Sequence, residues 1–263
     1  MIRETYNQKY IVYLGEIYYK DRQYDLARKY FEMAVPIKSM AANEYLGLMW
    51  DEGTAGHIDY EKAYYYYNTA MELGSFLGLY KLADMYRYGH YVEKDYEQYC
   101  EMIEGSYRVL KNTDLLSEPL AEIEVRLAEI RLDEEDPDEA FELLMDAKDI
   151  YAERLMHDMY LDDLEKMKEA VYLLYSLIDI EDMDLEVFEL YDMFEILRKP
   201  CRLFFTFNGG RHWVESAIEN DTMAINLEGK WYRSIIDFMT NARIDGKKLL
   251  TMPYEFYNAE IQY

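Results

Sequence analysis

Cysteine is scarce in this chain, with Cys100 and Cys201 the only two in 263 residues. Two thiols cannot build a disulfide framework, and so few fit a reducing compartment. Long apolar runs are missing too: none approaches the roughly 18 residues of a membrane span. The opening MIRETYNQKY lacks the basic and then apolar layout of a secretory signal. Positive charge is in short supply, 28 Lys+Arg against 53 Asp+Glu, for a formal net charge of −25. That deficit argues against nucleic acid, whose binders gain most of their affinity from Lys and Arg displacing counterions. It disfavours anionic membrane surfaces for the same reason. A soluble, acidic, cytoplasmic protein is expected.

Recognisable catalytic chemistry is equally thin. His57, His90, His157 and His212 are scattered, and neither Cys has a Cys or His at metal-ligand spacing. There is no G-x-S-x-G elbow and no phosphate-cradling glycine loop, since Gly209-Gly210 reads as a hairpin turn. Cys100 reads as a buried small apolar group. Cys201 lies beside Lys199 and Arg202, neighbours that can lower a thiol pKa, and His212 follows the fixed cation Arg211. The expectation is a protein without catalytic activity, cofactor or metal. A catalytic or ligand-sensing role around Cys201, Arg211 and His212 is the alternative.

What the chain has is apolar bulk and a repeat. Hydrophobic residues make up 51% and aromatics 16%, with 29 Tyr, so a core can be filled. Tyr24, Tyr60 and Tyr96 lie 36 residues apart, as do Phe31, Tyr67 and Ile103, and Ala34, Ala70 and Ser106. Leu46-Gly47 and Leu82-Ala83 keep the offset, as do Gly53 and Gly89; Leu14-Gly15 stands four residues closer to its Tyr24, which reads as a shorter hairpin loop. In each unit the apolar positions fall at helical spacing twice. Tyr10, Leu14, Ile17 and Tyr18 open the first, and Tyr24, Ala27, Phe31 and Ala34 resume after a break. Gly53 and Gly89 follow the first helix of their units, where an exit at positive φ needs no Cβ. One hairpin cannot bury its own apolar face, so the units must stack.

The second unit, LGLMWDEG followed by HIDYEKAYYYYNTAMELG, resembles the Sel-one-like repeat, a branch of the tetratricopeptide superfamily. It carries Leu46, Gly47, Trp50, Gly53, Asp59, Lys62, Ala63, Tyr66, Tyr67, Ala70 and Gly74 at that family's positions. The third unit matches at Leu82, Tyr86, Gly89, Val92 and Asp95, but has Ala83 for Gly, Tyr99 for Ala and Leu110 for the closing Gly. A degenerate fourth unit starts its second helix at Asp136-Pro137-Asp138-Glu139, with an Asp cap, Pro at the first position and acids at the positive dipole end. A fifth helical pair is expected over 161–177 and 185–197, around the acidic turn Glu181-Asp182-Met183-Asp184. The resemblance covers residues 1–150 and reaches Lys199 weakly. It implies a peptide-binding concave face along the first helix of each unit. The positions it implies are Val12, Glu16 and Tyr19; Glu44, Leu48 and Asp51; Tyr80, Asp84 and Arg87; and Glu122, Val125 and Glu129. Glu16, Asp84 and Glu129 stand where the branch that clamps a C-terminal carboxylate has cationic or amide side chains, so that ligand class is disfavoured.

At Pro200 the composition changes. Phe204, Phe205 and Phe207, the Asn208-Gly209-Gly210 turn, His212 to Ile218, Thr222 to Leu227 and the Glu228-Gly229 turn read as strands and hairpins. Ser234-x-x-Asp237 reads as a capping box, and Tyr254 to Gln262 as a returning strand. The expected fold is mainly α: an α-α superhelix of tetratricopeptide/Sel-like repeats over 1–199, with a small C-terminal α+β module over 200–263. Residues 112–199 hold 8 basic and 28 acidic residues, most of the charge imbalance. Such a segment is either a solvated face or a docking surface for a basic protein. The function expected is a scaffold or adaptor for a protein or peptide partner, a basic one where the acidic segment is the docking surface. An acidic antagonist of a basic effector, of the immunity type, is a further alternative.

Overall fold

The computed structural model describes residues 2–112, 118–157, 161–177, 187–219, 222–249 and 255–262. The chain divides into two compact units, Met1–Ile123 and Glu124–Tyr263, each treated by itself below. The division falls inside one helix, Glu118–Asp133 (α7).

The first unit is a series of helical hairpins: α1 (Ile2–Lys20) with α2 (Tyr24–Ala34), α3 (Met40–Asp51) with α4 (Tyr60–Glu72), and α5 (Phe76–Tyr88) with α6 (Tyr96–Leu110). Each hairpin also packs on the next, α2 on α3 and α4 on α5. The 36-residue spacing sets the helix starts as well as the core. Ser39 and Ser75 cap α3 and α5, their hydroxyls accepting from the Ala42 amide at 3.2 Å and the Gly78 amide at 2.8 Å. Asp59 and Asp95 cap α4 and α6, accepting from the Lys62 amide at 3.1 Å and the Gln98 amide at 2.9 Å. Each of these bonds satisfies an amide that the first helical turn would otherwise leave without a partner. Gly53 and Gly89 exit at φ of 78° and 74°, in the left-handed region where a Cβ is costly.

Within the first two hairpins one close approach stands out. A Cβ on Gly15 would lie 2.5 Å from the Phe31 ring, and a Cβ on Gly47 2.4 Å from the Tyr67 ring. Glycine is therefore required wherever the facing residue is an aromatic. The third hairpin has Ala83 and Ile103 at the equivalent positions, both fully buried. Its aromatic has moved back one turn, to the buried Tyr99, which stands where the second hairpin has Ala63. Two departures from the repeat pattern, Ala83 and Tyr99, are thus one compensating change. In both hairpins the phenol still reaches the last turn of the first helix. Tyr67 donates to Asp51 Oδ2 at 3.1 Å, and Arg87 Nη1 donates to the Tyr99 hydroxyl at 3.2 Å. Trp50, nearly buried, lies under Lys62 Nζ at 3.8 Å from the ring centroid.

The second unit holds the end of α7, then α8 (Pro137–His157) and α9 (Leu161–Leu174). Asp136 Oδ1 accepts from the Glu139 amide at 3.1 Å, the cap expected at the start of α8. The helical pair expected over 161–177 and 185–197 is corrected in its second half. Val187–Glu189 is a strand (β1), followed by a 3-10 turn, Leu190–Asp192, and a one-turn helix, α10 (Met193–Ile196). The residues Val187 and Phe188 suit a pleated edge, and β1 pairs antiparallel with the last strand, Val187 opposite Tyr257. The acidic turn at 181–184 lies outside the described residues.

The remaining strands are β2 (Cys201–Phe207), β3 (Gly210–Glu219), β4 (Thr222–Leu227), β5 (Lys230–Tyr232) and β8 (Glu255–Gln262), with a separate two-stranded hairpin of β6 (Arg243–Ile244) and β7 (Lys247–Lys248). The main sheet is antiparallel in the order β1-β8-β2-β3-β4-β5. It therefore includes a strand upstream of Pro200, where composition changes, and the returning strand expected near 254–262 (Tyr254 itself lies outside the described residues). Its tight turns are two-residue loops with both centres at positive φ: Asn208 and Gly209 at 49° and 77°, Glu228 and Gly229 at 48° and 95°. Those loops follow the right-handed strand twist. Alternate residues Leu203, Phe205 and Phe207 are buried, and α11 (Ile235–Asn241) brings Phe238 edge-on to Tyr232 at 5.6 Å. Ser234 caps α11, accepting from the Asp237 amide at 3.1 Å. Lys148 and Asp192, both buried, are joined by the half-buried Tyr175: Lys148 Nζ lies 3.9 Å from Asp192 Oδ1, and the Tyr175 hydroxyl donates to the same oxygen at 2.6 Å.

Two outcomes are expected. Gly15→Ala drives a Cβ into the Phe31 ring and should cost about 1–3 kcal/mol, as overpacking does. Phe31→Ile removes the ring, so in chemical denaturation the double variant should lose less than the sum of the single losses; simple additivity would contradict the geometry. The second outcome concerns alkali. Burial raises the Tyr67 hydroxyl well above the ordinary tyrosine range, and the nearby Asp51 carboxylate adds to the shift; burial likewise raises Tyr66 and Tyr172. An acid whose folded pKa is raised holds its proton longer in the folded state, so it stabilises below the unfolded value of about 10 and that stability is lost as pH rises further. Ultraviolet titration should show a late-ionising group of tyrosines with unfolding in step, and Tyr67→Phe should remove part of the late group.

Candidate interaction face of the helical hairpins

Apart from Glu122 on α7, the positions that the repeat resemblance assigns to partner binding in the first unit lie on α1, α3 and α5, of which α3 neighbours both of the others. Their environments differ. Glu16, Leu48 and Asp84 occupy the same place in successive first helices and are all half-exposed, as is Val12. Tyr80 is only 4% exposed and Glu122 7%, so both sit among packed neighbours rather than at the surface. The end-of-helix positions are tied inward. The Tyr19 hydroxyl donates to Glu52 Oε2 at 3.3 Å, Asp51 accepts from Tyr67 at 3.1 Å, and Arg87 holds Tyr99. Glu44 accepts a short hydrogen bond from the Ser75 hydroxyl that also caps α5, which fixes its carboxylate against the next helix start. Val125 and Glu129, half-exposed, belong to the second unit. What remains partly at the surface in the first unit is an apolar and acidic row of Val12, Glu16, Leu48 and Asp84, with Val12 and Leu48 also packed against the core.

The loops carry a feature that the 36-residue pattern alone does not mark. His90 stacks on Tyr60 at 4.1 Å with 14° between the rings, and Tyr88 lies 5.7 Å away. Tyr91, held at φ 67°, meets Tyr64 at 5.4 Å. The available signal was the tyrosine density around Tyr64 together with a histidine in the α5–α6 loop. The capping serines, Ser39 and Ser75, were legible by their spacing of 36 and escaped the sequence reading.

Cys201, Arg211 and His212 do not converge. The β2–β3 register sets Cys201 opposite Ser216 and His212 opposite Phe205, so the two side chains lie at opposite ends of the same sheet face. Four residues of β3 separate those rungs, about 13 Å at about 3.3 Å per residue. Arg211 is on the other face, its guanidinium 5.0 Å over the Phe204 ring and 2.8 Å from Glu260 Oε2. Cys201 is buried, with Sγ 3.2 Å from the Ile196 carbonyl and its amide donating to Ser216 Oγ at 3.1 Å. Burial pushes its thiol above the ordinary cysteine range, against a smaller opposing effect of Ser216. The basic neighbours Lys199 and Arg202 therefore do not activate it. His212 Nδ1 sits 2.9 Å from Glu228 Oε1. Among the described residues no group of three His, Cys, Asp or Glu side chains is placed to hold a metal ion. Since only the thiolate alkylates, iodoacetamide near neutral pH should label the half-exposed Cys100 well before Cys201, whose labelling should await denaturant. Faster labelling of Cys201 would reverse this assignment.

No family model matches the chain, and no curated protein does. Among solved structures, the chain is similar to a Sel1 repeat protein from Oxalobacter formigenes, with 17% identity and a TM-score of 0.46 over 65% of this chain and 76% of that one. It is also similar to a protective antigen present in uropathogenic Escherichia coli strains and displaying an SLR fold. That match has 18% identity and a TM-score of 0.44 over 72% of this chain, and spans 44% of that chain's length. No helix among the described residues is long and apolar enough to cross a membrane.

Proposed function

We propose that the hairpins of residues 2–112 form a non-enzymatic scaffold that holds a protein or peptide on the surface row of α1, α3 and α5. The observation that carries this reading is the alignment of Glu16, Leu48 and Asp84, half-exposed at one place in three successive helices. A row repeated at the pitch of the hairpins suits an extended chain, which offers side chains at regular intervals. Two carboxylates flanking an aliphatic side chain favour a segment with cationic residues around an apolar one. The net charge of −25 supports a basic partner through long-range attraction, and the paucity of cysteine supports a reducing, cytoplasmic setting. Val12 extends the row at one end, while Asp51 and Arg87 set the shape of its border through their bonds to the second helices, and Tyr19 through its bond to Glu52 at the end of α3.

The test is the double variant Glu16→Lys with Asp84→Lys; Tyr80, being buried, is left intact so that folding is preserved. Partners enriched from the native host at low salt should be identified, and one of them purified for titration. The double variant should bind it at least about tenfold more weakly, a difference of about 1.4 kcal/mol, with an unchanged melting curve. Wild-type affinity should fall as salt shortens the screening length to about 8 Å at physiological strength. Equal binding by wild type and variant, at every salt concentration, would remove the proposed row.

A further inference from the structure

The hairpin-to-hairpin contact has a repeating footprint whose first copy is uncovered. On α3 Tyr45 meets the preceding hairpin, stacking on Phe31 at 4.6 Å and 4° and tilting against Tyr19 at 5.1 Å, and Ala42 and Met49, on the same side of the helix, are fully buried. On α5 the same positions are Gly78, Lys81 and Met85, with a Cβ on Gly78 falling 2.6 Å from the Tyr67 carbonyl oxygen of the preceding hairpin. Gly15 and Gly47 occupy matching places against Phe31 and Tyr67, which fixes the correspondence between α1 and α3 at 32 residues. The α1 counterparts are then Tyr10, Tyr13 and Ile17. Tyr10 is 57% exposed and Tyr13 56%, their rings 6.5 Å apart.

We propose that this stripe of Tyr10, Tyr13 and Ile17 is where a second copy of the chain pairs with the first about a two-fold axis. Two observations choose that occupant. Another hairpin seated as in the array needs Ala or Gly at the first position, because its second helix comes within contact distance of the backbone there. Tyr10 fills that space, so the array does not continue in register, whereas two identical aromatic stripes can interleave. Charge makes the same choice. Residues 2–34 hold 6 basic and 5 acidic residues, a balance of +1 in a chain of −25. Two copies can therefore meet at this end with little like-charge repulsion. The stripe lies roughly 120° around α1 from Val12, Glu16 and Tyr19, at 100° per residue, so pairing leaves the proposed partner row open.

Sedimentation of the full chain over a wide concentration range tests the pairing. A mass rising from 31.6 kDa to twice that value, and no further, is expected. The equilibrium should change little between low and high salt, unlike the binding of a basic partner. Tyr10→Asp with Tyr13→Asp should give a monomer at every concentration, while Tyr65→Asp, at an equally exposed tyrosine on α4, should leave the dimer intact. Should the double variant fail to fold, Tyr13→Cys treated with a short thiol-reactive crosslinker should give a covalent dimer where Tyr65→Cys does not. A wild-type mass that stays monomeric overturns the pairing, as would growth beyond the dimer, which signals a head-to-tail contact. Pairing that survives the double substitution overturns it too.

Discussion

How closely two helices of a hairpin can approach governs the repeats, and that distance is fixed by which residue faces an aromatic ring. In the first two hairpins a glycine backbone lies directly against Phe31 or Tyr67, at distances no Cβ tolerates. The second helix is thereby drawn in until the ring becomes part of the hairpin's own core. Protein interiors are packed like organic crystals, so a change of one methyl is felt and must be answered nearby. The third hairpin makes that answer within its own sequence: Ala83 adds the methyl, Ile103 gives up the ring, and Tyr99 restores the aromatic one turn earlier. Read as isolated departures from a family pattern, Ala83 and Tyr99 suggest decay of the repeat. As a pair they keep the volume of the contact while moving its bulk along the helix.

The same contact explains which parts of the fold were legible in the sequence. Spacing at 36 marked the second and third hairpins because the helix starts, the buried positions facing each other and the left-handed exit glycines Gly53 and Gly89 recur together. The caps at Ser39, Ser75, Asp59 and Asp95 recur for an equally local reason, the amides of a first helical turn. Only the acidic half of that set drew attention, since serine is common in loops and its role depends on one hydroxyl distance. Within the helix expected over 185–197, Val187–Glu189 is a strand while Met193–Ile196 is helical, because apolar residues in a short run satisfy either period. What decides for a strand is pairing with residues 255–257, far away in sequence and invisible to any local window.

Side-chain exposure was the part of the candidate site that spacing could not supply. Counting along a helix places Tyr80 and Asp84 on one face, yet Tyr80 is buried and Asp84 is not, because neighbouring helices cover the two positions differently. The tyrosine-rich composition has the same ambiguity. Tyr67 and Tyr99 fill the core through their rings and satisfy their hydroxyls on the last turn of the facing helix, whereas Tyr10, Tyr13 and Tyr65 stand in solvent. In the C-terminal sheet, alternation separates Cys201 and His212 from Arg211 by face, and register separates the first two by length. Arg211 and His212, adjacent in sequence, are held on opposite faces by the pleat, and Cys201 lies on the neighbouring strand.

Charge and apolar surface are divided in a way that bears on how the molecule works. Residues 112–199 carry most of the negative charge, and the first hairpin carries almost none. A uniformly acidic surface would keep copies of the chain apart and treat all basic ligands alike. Here α1, in the near-neutral first hairpin, offers Tyr10 and Tyr13 on one face and Glu16 on another, and α5 adds Asp84 beyond Leu48. Apolar contact is insensitive to salt and needs close complementarity, whereas attraction between opposite charges is long-ranged and fades as ions are added. In the proposed arrangement the two lie on different faces of α1, so that one helix takes part in both without either surface being used twice.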